Sequence, residues 1–250
     1  MISLYHWETN GASARVLITL AEKDISFTSH YVDLLAFEQF RPDFLAVDPG
    51  GDVPILVHDG AVLSDASYIC EYLDEGFSDK PLMPADPLGR WQVRSWQKYV
   101  DDHLAAAMAE VAWAGCGAPA FKAMERDPTP AMAQMPNAAQ RRLWSEAVAG
   151  YDEERLTQAR QRIALALDKA EAALAETPWL AGAGFTLADI AAFSYLNYVP
   201  GLLHGLAGER TLDWLERTAA RPAVTRALTM GRAADPFAIA APGPERVRWG

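Results

Sequence analysis

Every stretch of this 250-residue chain that reads as a β-strand lies ahead of residue 65. Ile2–His6, 26–32, 53–57 and 62–63 are short apolar runs, and turn residues bound them, notably DPGGD at 48–52 and HDGA at 58–61. Between the first two, residues 12–22 put Val16, Leu17 and Leu20 on one helical face; 41–47 is a weak helical turn, and Ala66–Gly76 follows the last strand. The order β, α, β, α, β, β, α suits a small mixed sheet with helices packed on it.

From residue 88 onward no strand is legible. An amphipathic stretch runs to about 111, an irregular Gly/Pro/Met-bearing segment spans 115–136, and a long helix is expected to about 175. On that helix Leu156, Ile163, Leu167, Ala170 and Leu174 share a face. Thr186 and Asp189 have the spacing of a capping box, and Pro222 stands at a first helical position. The chain therefore divides into a mixed α/β unit at 1–80, a linker at 81–87 (PLMPADP), an all-helical unit at 88–235 and an irregular tail at 236–250.

Charge supports that division. Residues 1–86 carry fifteen acidic and four basic side chains, whereas the remainder is balanced at eighteen of each, so the net charge of −11 belongs to the front third. Neither part has the basic excess that a phosphate backbone requires, which argues against nucleic acid. An anionic ligand of the front unit must be held by backbone donors and helix dipoles against an unfavourable mean field. Cys70 and Cys116 lack CxxC or metal-ligand spacing, the histidines show no paired spacing, and no metal is expected. No apolar run approaches about 18 residues, and the start of the chain lacks a basic, then apolar, leader. These features argue against a membrane span and for a cytoplasmic location. GxSxG, P-loop and GxGxxG motifs are absent.

The strand, polar turn and helix of LYHWETNGASARVL, the GDVPIL segment, the SDASYICEYL helix start, the PADP linker and FTLADI together resemble the glutathione transferases, in family order over nearly the whole chain. Within that superfamily the long insert at 113–151 and the strings AFEQF, ICEYL and PWLAGAGFTLADI are most similar to bacterial glutathione-dependent β-aryl etherases. The resemblance implies a thioredoxin-like N-terminal domain that binds glutathione as co-substrate, and an all-α C-terminal bundle covering an apolar second-substrate site. It also implies a homodimer.

The same resemblance assigns candidate residues. Pro54 is expected to follow a cis bond that turns the Val53 backbone toward the cysteinyl moiety; an ordinary proline opening an edge strand is the alternative. Asp65 and Ala66 match the acidic-residue-plus-serine pair at the γ-glutamyl end, with Ala66 in place of the serine and Ser64 or Ser67 able to compensate. A plain helix cap would explain the same string. Gln39 matches a position near the glycyl end, although solvated helix polarity explains it equally. Ser13 falls where a hydroxyl serves the glutathione sulfur, with Asn10 as a second donor, Tyr5 as a rival, and simple helix capping as the plain reading. Trp7 and Trp113 are the aromatic residues expected to line the second-substrate cavity.

The expected chemistry is thiolate displacement of a phenol from an α-keto β-aryl ether derived from lignin. Conjugation of another small electrophile is the enzymatic alternative, and a non-catalytic binding module on the same fold is the third.

Overall fold

A computed structural model of the chain describes residues 1–77, 79–236 and 238–242. Strands β1 (Ile2–His6), β2 (Thr28–Tyr31), β3 (Ile55–His58) and β4 (Ala61–Ser64) form one sheet in the order β2-β1-β3-β4. β1 runs parallel to β2 and antiparallel to β3, and β3 and β4 make a hairpin. Helix α1 (Gly11–Glu22) crosses from β1 to β2, α2 (Pro42–Leu45) is a single turn, and α3 (Ala66–Gly76) packs beside α1.

The helical unit begins with one continuous run from Pro87 to Ala123, comprising α4 (Pro87–Tyr99), a π-turn at Val100–Leu104, α5 (Ala105–Ala112), a second π-turn at Trp113–Gly117 and α6 (Ala118–Ala123). By length and composition alone one window of this run would span a membrane, but 56% of that window is buried inside the fold. Its apolarity serves the core against α9 (Glu153–Glu176) and α10 (Leu187–Leu196). Helices α7 (Thr129–Ala133), α8 (Ala138–Ala149), α11 (Val199–Leu202), α12 (Glu209–Ala219) and α13 (Pro222–Leu228) complete the unit.

Two sequence expectations are corrected here. The segment 115–136 is not irregular throughout: it contains a π-turn, α6 and α7. The long helix to about 175 is two helices, because Gly150 takes φ +93 after α8 and Asp152 then caps α9 through the Arg155 N–H. The Thr186 and Asp189 capping box forms as read, and Asp189 also accepts from Leu180 N–H (2.9 Å) and Trp214 Nε1 (3.0 Å). Burial pushes the Asp189 carboxyl up, and these donors oppose that effect.

Strand alternation sends side chains into two cores. Ile2, Leu4 and Leu56 join α1, α3, α4, α5, α9 and α10 on one face of the sheet. On the other face Trp7, Val53, Ile55, Phe37, Phe40 and Phe44 meet Trp113, Phe121 and Trp144 from the insert. The insert therefore covers a sheet face that would otherwise meet water. Within the front unit a buried pair, Lys23 Nζ to Asp74 Oδ1 at 2.8 Å, anchors the linker: Asp74 also accepts the N–H groups of Leu82 and Met83.

Candidate active site

The loop between β1 and α1 folds back on itself. Gly11 turns at φ +53, Asn10 is the N-cap residue, and Ser13 becomes the third residue of α1 rather than its cap. Ser13 is buried, and its Oγ accepts the backbone N–H of Trp7 at 3.1 Å. A hydroxyl that accepts through one lone pair keeps its own proton to donate. Asn10 makes no side-chain cap, so the first N–H groups of α1 are not consumed by it. Instead the Asn10 amide donates to the carbonyls of Pro236 (2.8 Å) and Ile239 (3.1 Å). That commitment to the tail separates Asn10 from the donor role expected of it.

Ser13 opens on an apolar cleft of about 100 Å³, lined also by Trp7, Asn10, Gly11 and Val53, by α5, by Tyr151, by Tyr195 of α10 and by Tyr198 just before α11. The α5 wall is built from Ala105, Ala106, Ala109 and Ala112, small residues recurring on one side of the helix, and Met108 lies among them. Room for a ligand comes from those missing side chains. Glu110 is the one formally charged residue among the described lining residues. It is met by Arg155 (3.1 Å) and Arg162 (2.9 Å), so the wall carries no net anion. Arg155 also stacks over the Tyr151 ring at 4.2 Å. Burial pushes the Tyr198 phenol well above its ordinary value, keeping it a neutral donor toward Pro236 O.

The other expected residues divide. The Val53–Pro54 bond is cis, and Val53 lines the cleft while Pro54 does not. Asp65 sits at φ +73 as the N-cap of α3 and accepts from Ser67 and Tyr68 N–H, both through Oδ1. Ala66 is the first residue of that helix, and its N–H is not among the groups Asp65 takes. Ser67 is not available to replace the missing serine hydroxyl: it accepts from Arg15 and donates to Asp101 Oδ2 at 2.6 Å. Gln39 is 2% exposed, which removes the solvated-helix explanation, and its Oε1 has no hydrogen-bond partner among the described residues. Tyr5 stacks on His30 at 4.5 Å, away from the cleft lining.

Trp113 is corrected. It lies 1% exposed, donates Nε1–H to Ala147 O at 2.8 Å and packs on Trp144 and Phe121, so it belongs to the core and not to the cleft. Sequence reasoning singled out none of Tyr151, the α5 alanines or Ala240 and Ala241 of the tail, all of which line the cleft. The small-residue run AAAMAEVA was the available signal for α5; nothing local marked the tail.

Comparison with known proteins agrees with this geometry. Residues 12–75 match the glutathione S-transferase N-terminal domain and residues 146–229 the C-terminal domain. Protein LigF of Sphingobium sp. (strain NBRC 103272 / SYK-6) is 33% identical over 234 residues, covering 89% of this chain and 91% of that protein. Glutathione S-transferase F13 of Arabidopsis thaliana is 29% identical over 228 residues, covering 89% and 92%. The crystal structure of the beta-etherase LigF from Sphingobium sp. strain SYK-6 superposes with a TM-score of 0.84 at 31% identity, over 91% of this chain and 98% of that one. With both domains matched, a full-length relative and a sheet-plus-bundle fold that places a buried serine beside an apolar cleft, the chain belongs to the glutathione S-transferase family, whose co-substrate is glutathione.

Proposed function

We propose that the protein cleaves β-aryl ether bonds of lignin-derived α-keto aromatics, using glutathione thiolate to displace a phenol. The observation that carries this reading is Ser13: its acceptor side is occupied by Trp7 N–H, and its proton is left for a group at the mouth of an apolar cleft. A thiol near pKa ~8.5 is mostly protonated at neutral pH, and a donated hydrogen bond favours its ionised form. The N-terminus of α1, uncapped by the Asn10 side chain, adds the favourable end of a helix dipole.

Glutathione would lie across the front unit. Val53 offers its backbone to the cysteinyl part, Ala66 N–H and the α3 N-terminus hold the γ-glutamyl carboxylate, and Asp65 Oδ2, outside the cap, accepts from the ammonium. Gln39 Oε1, buried without a partner among the described residues, would accept the glycyl N–H. The α5 alanines, Tyr195 and Tyr198 hold the aryl ketone with water excluded. A carbon–sulfur bond then forms as the carbon–oxygen bond breaks. The phenolate leaves from the opposite face, and the carbon inverts. The beta-etherase relative supports the substrate class.

Purified protein given glutathione and a guaiacyl α-keto β-aryl ether should release guaiacol with one equivalent of thioether. Conjugation of an aryl halide or epoxide without phenol release would establish the broader transferase reading instead. A flat calorimetric titration with millimolar glutathione would establish a non-catalytic module. We further propose a cytoplasmic homodimer built on the face where Tyr68 and Tyr72 of α3 stand exposed beside Leu88 and Trp91 of α4. Sedimentation at half the expected mass would refute it.

A further inference from the structure

Three consecutive side chains of the loop that leads into α1 and Ser13 bind a single distant segment. Glu8 accepts the backbone N–H groups of Arg232 (3.0 Å) and Ala233 (3.1 Å), and Tyr31 O–H donates to the same carboxylate. Thr9 Oγ1 donates to Leu228 O at 3.1 Å, and Asn10 holds Pro236 O and Ile239 O. Arg232 stacks over the Tyr31 ring at 4.1 Å, and a Cβ added at Gly231 would collide with Glu8 Oε2. All of Glu8, Thr9 and Asn10 are buried. Beyond this clasp the segment runs on against the insert, where a Cβ at Gly117 would collide with the Ala240 carbonyl. Ala240 and Ala241 then supply part of the cleft wall outside α5 and α10.

We infer that the clasped C-terminal segment sets the width of the electrophile cleft, with Ala241 as its specificity-determining side chain. The inference rests on the proposed thiolate-displacement reading for its substrate class, aryl ketones of two rings rather than one. Its physical basis is separate. The clasp fixes the segment to the loop that leads into α1 and Ser13, so the wall cannot retreat from the sulfur when a larger side chain is placed on it. Ala240 is 6% exposed and held against Gly117, whereas Ala241, packed on the sheet–insert core, is partly exposed and lines the cleft.

The test compares wild type, Ala241→Leu and Ala241→Gly by calorimetric titration with two glutathione thioethers, S-benzylglutathione and its biphenylmethyl analogue. Guaiacol release from the β-aryl ether is followed in parallel. Ala241→Leu should weaken the two-ring thioether at least tenfold relative to the one-ring compound, and Ala241→Gly should shift the ratio the other way, with affinity for glutathione itself held within twofold. A ratio unchanged in both variants overturns the inference, as does a uniform loss that includes glutathione. If the ratio moves as expected while wild type releases no guaiacol, the width assignment stands and the etherase reading falls. Absence of saturable binding by either thioether overturns both.

Discussion

Replacing Ser13 by Ala removes one hydroxyl with two duties, and the structure lets them be separated. The first, under the proposed thiolate-displacement reading, is to donate to the sulfur. A hydrogen bond to a charged group is worth about 1.5–3 kcal/mol, and at ~1.4 kcal/mol per pKa unit its loss raises the bound thiol pKa by about one to two. Thiol near neutrality in the wild type would return toward ~8.5, and the thiolate fraction at about pH 7 would fall roughly tenfold or more. Because the pKa rises, the loss of kcat is greatest at neutral pH and closes as pH passes the raised value. The second duty is to accept Trp7 N–H, buried and 3.1 Å away. Leaving that donor without an acceptor costs about 1–3 kcal/mol, and at roughly 2–4 °C per kcal/mol the Tm should drop by several degrees. The assay is a pH titration of enzyme saturated with glutathione, read by the ultraviolet absorbance of the thiolate and matched to kcat over the same range. A thiol pKa that does not move would refute the reasoning, whatever happened to kcat. A kcat loss equal at every pH would show Ser13 to be a part of loop geometry alone.

Ala66→Ser should restore a hydroxyl at the α3 N-terminus and tighten glutathione by about fivefold, roughly 1 kcal/mol, in calorimetric titration; unchanged or weaker binding would place the γ-glutamyl end elsewhere. Trp113→Phe should lower stability by about 1–3 kcal/mol in urea unfolding, since Ala147 O loses its buried donor, while the KM for the electrophile stays put; a KM change without a stability change would return Trp113 to the cleft. Burial pushes the Cys70 thiol up to about 11 and raises Cys116 as well, so native protein at about pH 8 should expose at most one reactive thiol to a disulfide reagent and two after unfolding. Two fast thiols in the native state would contradict the packing around Cys70.

The elements whose signals are local were legible. β1, α3 and the Thr186 capping box follow from residues within a turn or two of one another, and Pro222 opens α13 as its position predicts. Ser13 was singled out through a resemblance spread over the chain. What local pattern could not supply was its acceptor bond to Trp7, which depends on the loop folding back at Gly11. Trp113 was misplaced for a physical reason: a large aromatic side chain suits a core and a pocket equally, and only the docking of the insert on the sheet decides between them. The break at Gly150 was missed because a single glycine is tolerated in a helix, although Asp152 followed by Glu153 and Glu154 is a start signal in its own right. Nothing local marked Glu8, Thr9 and Asn10 as a clasp, since the C-terminal partners they hold lie more than 200 residues later.

The acidic excess of the front third poses the hardest constraint on a site meant to hold an anion, and the fold answers it in two ways. Much of the excess is turned toward the helical unit: Glu22 pairs with Arg221, Asp24 with Arg226, Glu71 with Arg94 and Glu75 with Arg90. Each such surface pair is worth little to stability, about 0–1 kcal/mol, but together they cancel field that would otherwise oppose a thiolate. Glu8, the carboxylate nearest Ser13 in sequence, is turned inward and accepts backbone N–H groups of the clasped segment and the Tyr31 hydroxyl. Under the proposed reading, stabilisation around the sulfur is left to neutral donors, because among the described lining residues no cationic side chain reaches the cleft. Those donors are the Ser13 hydroxyl and the N–H groups at the start of α1, fixed before any ligand arrives. Fixed dipoles in a dry cleft stabilise charge without reorganising as it develops, which is the condition under which a weakly acidic thiol can be held ionised next to an apolar electrophile.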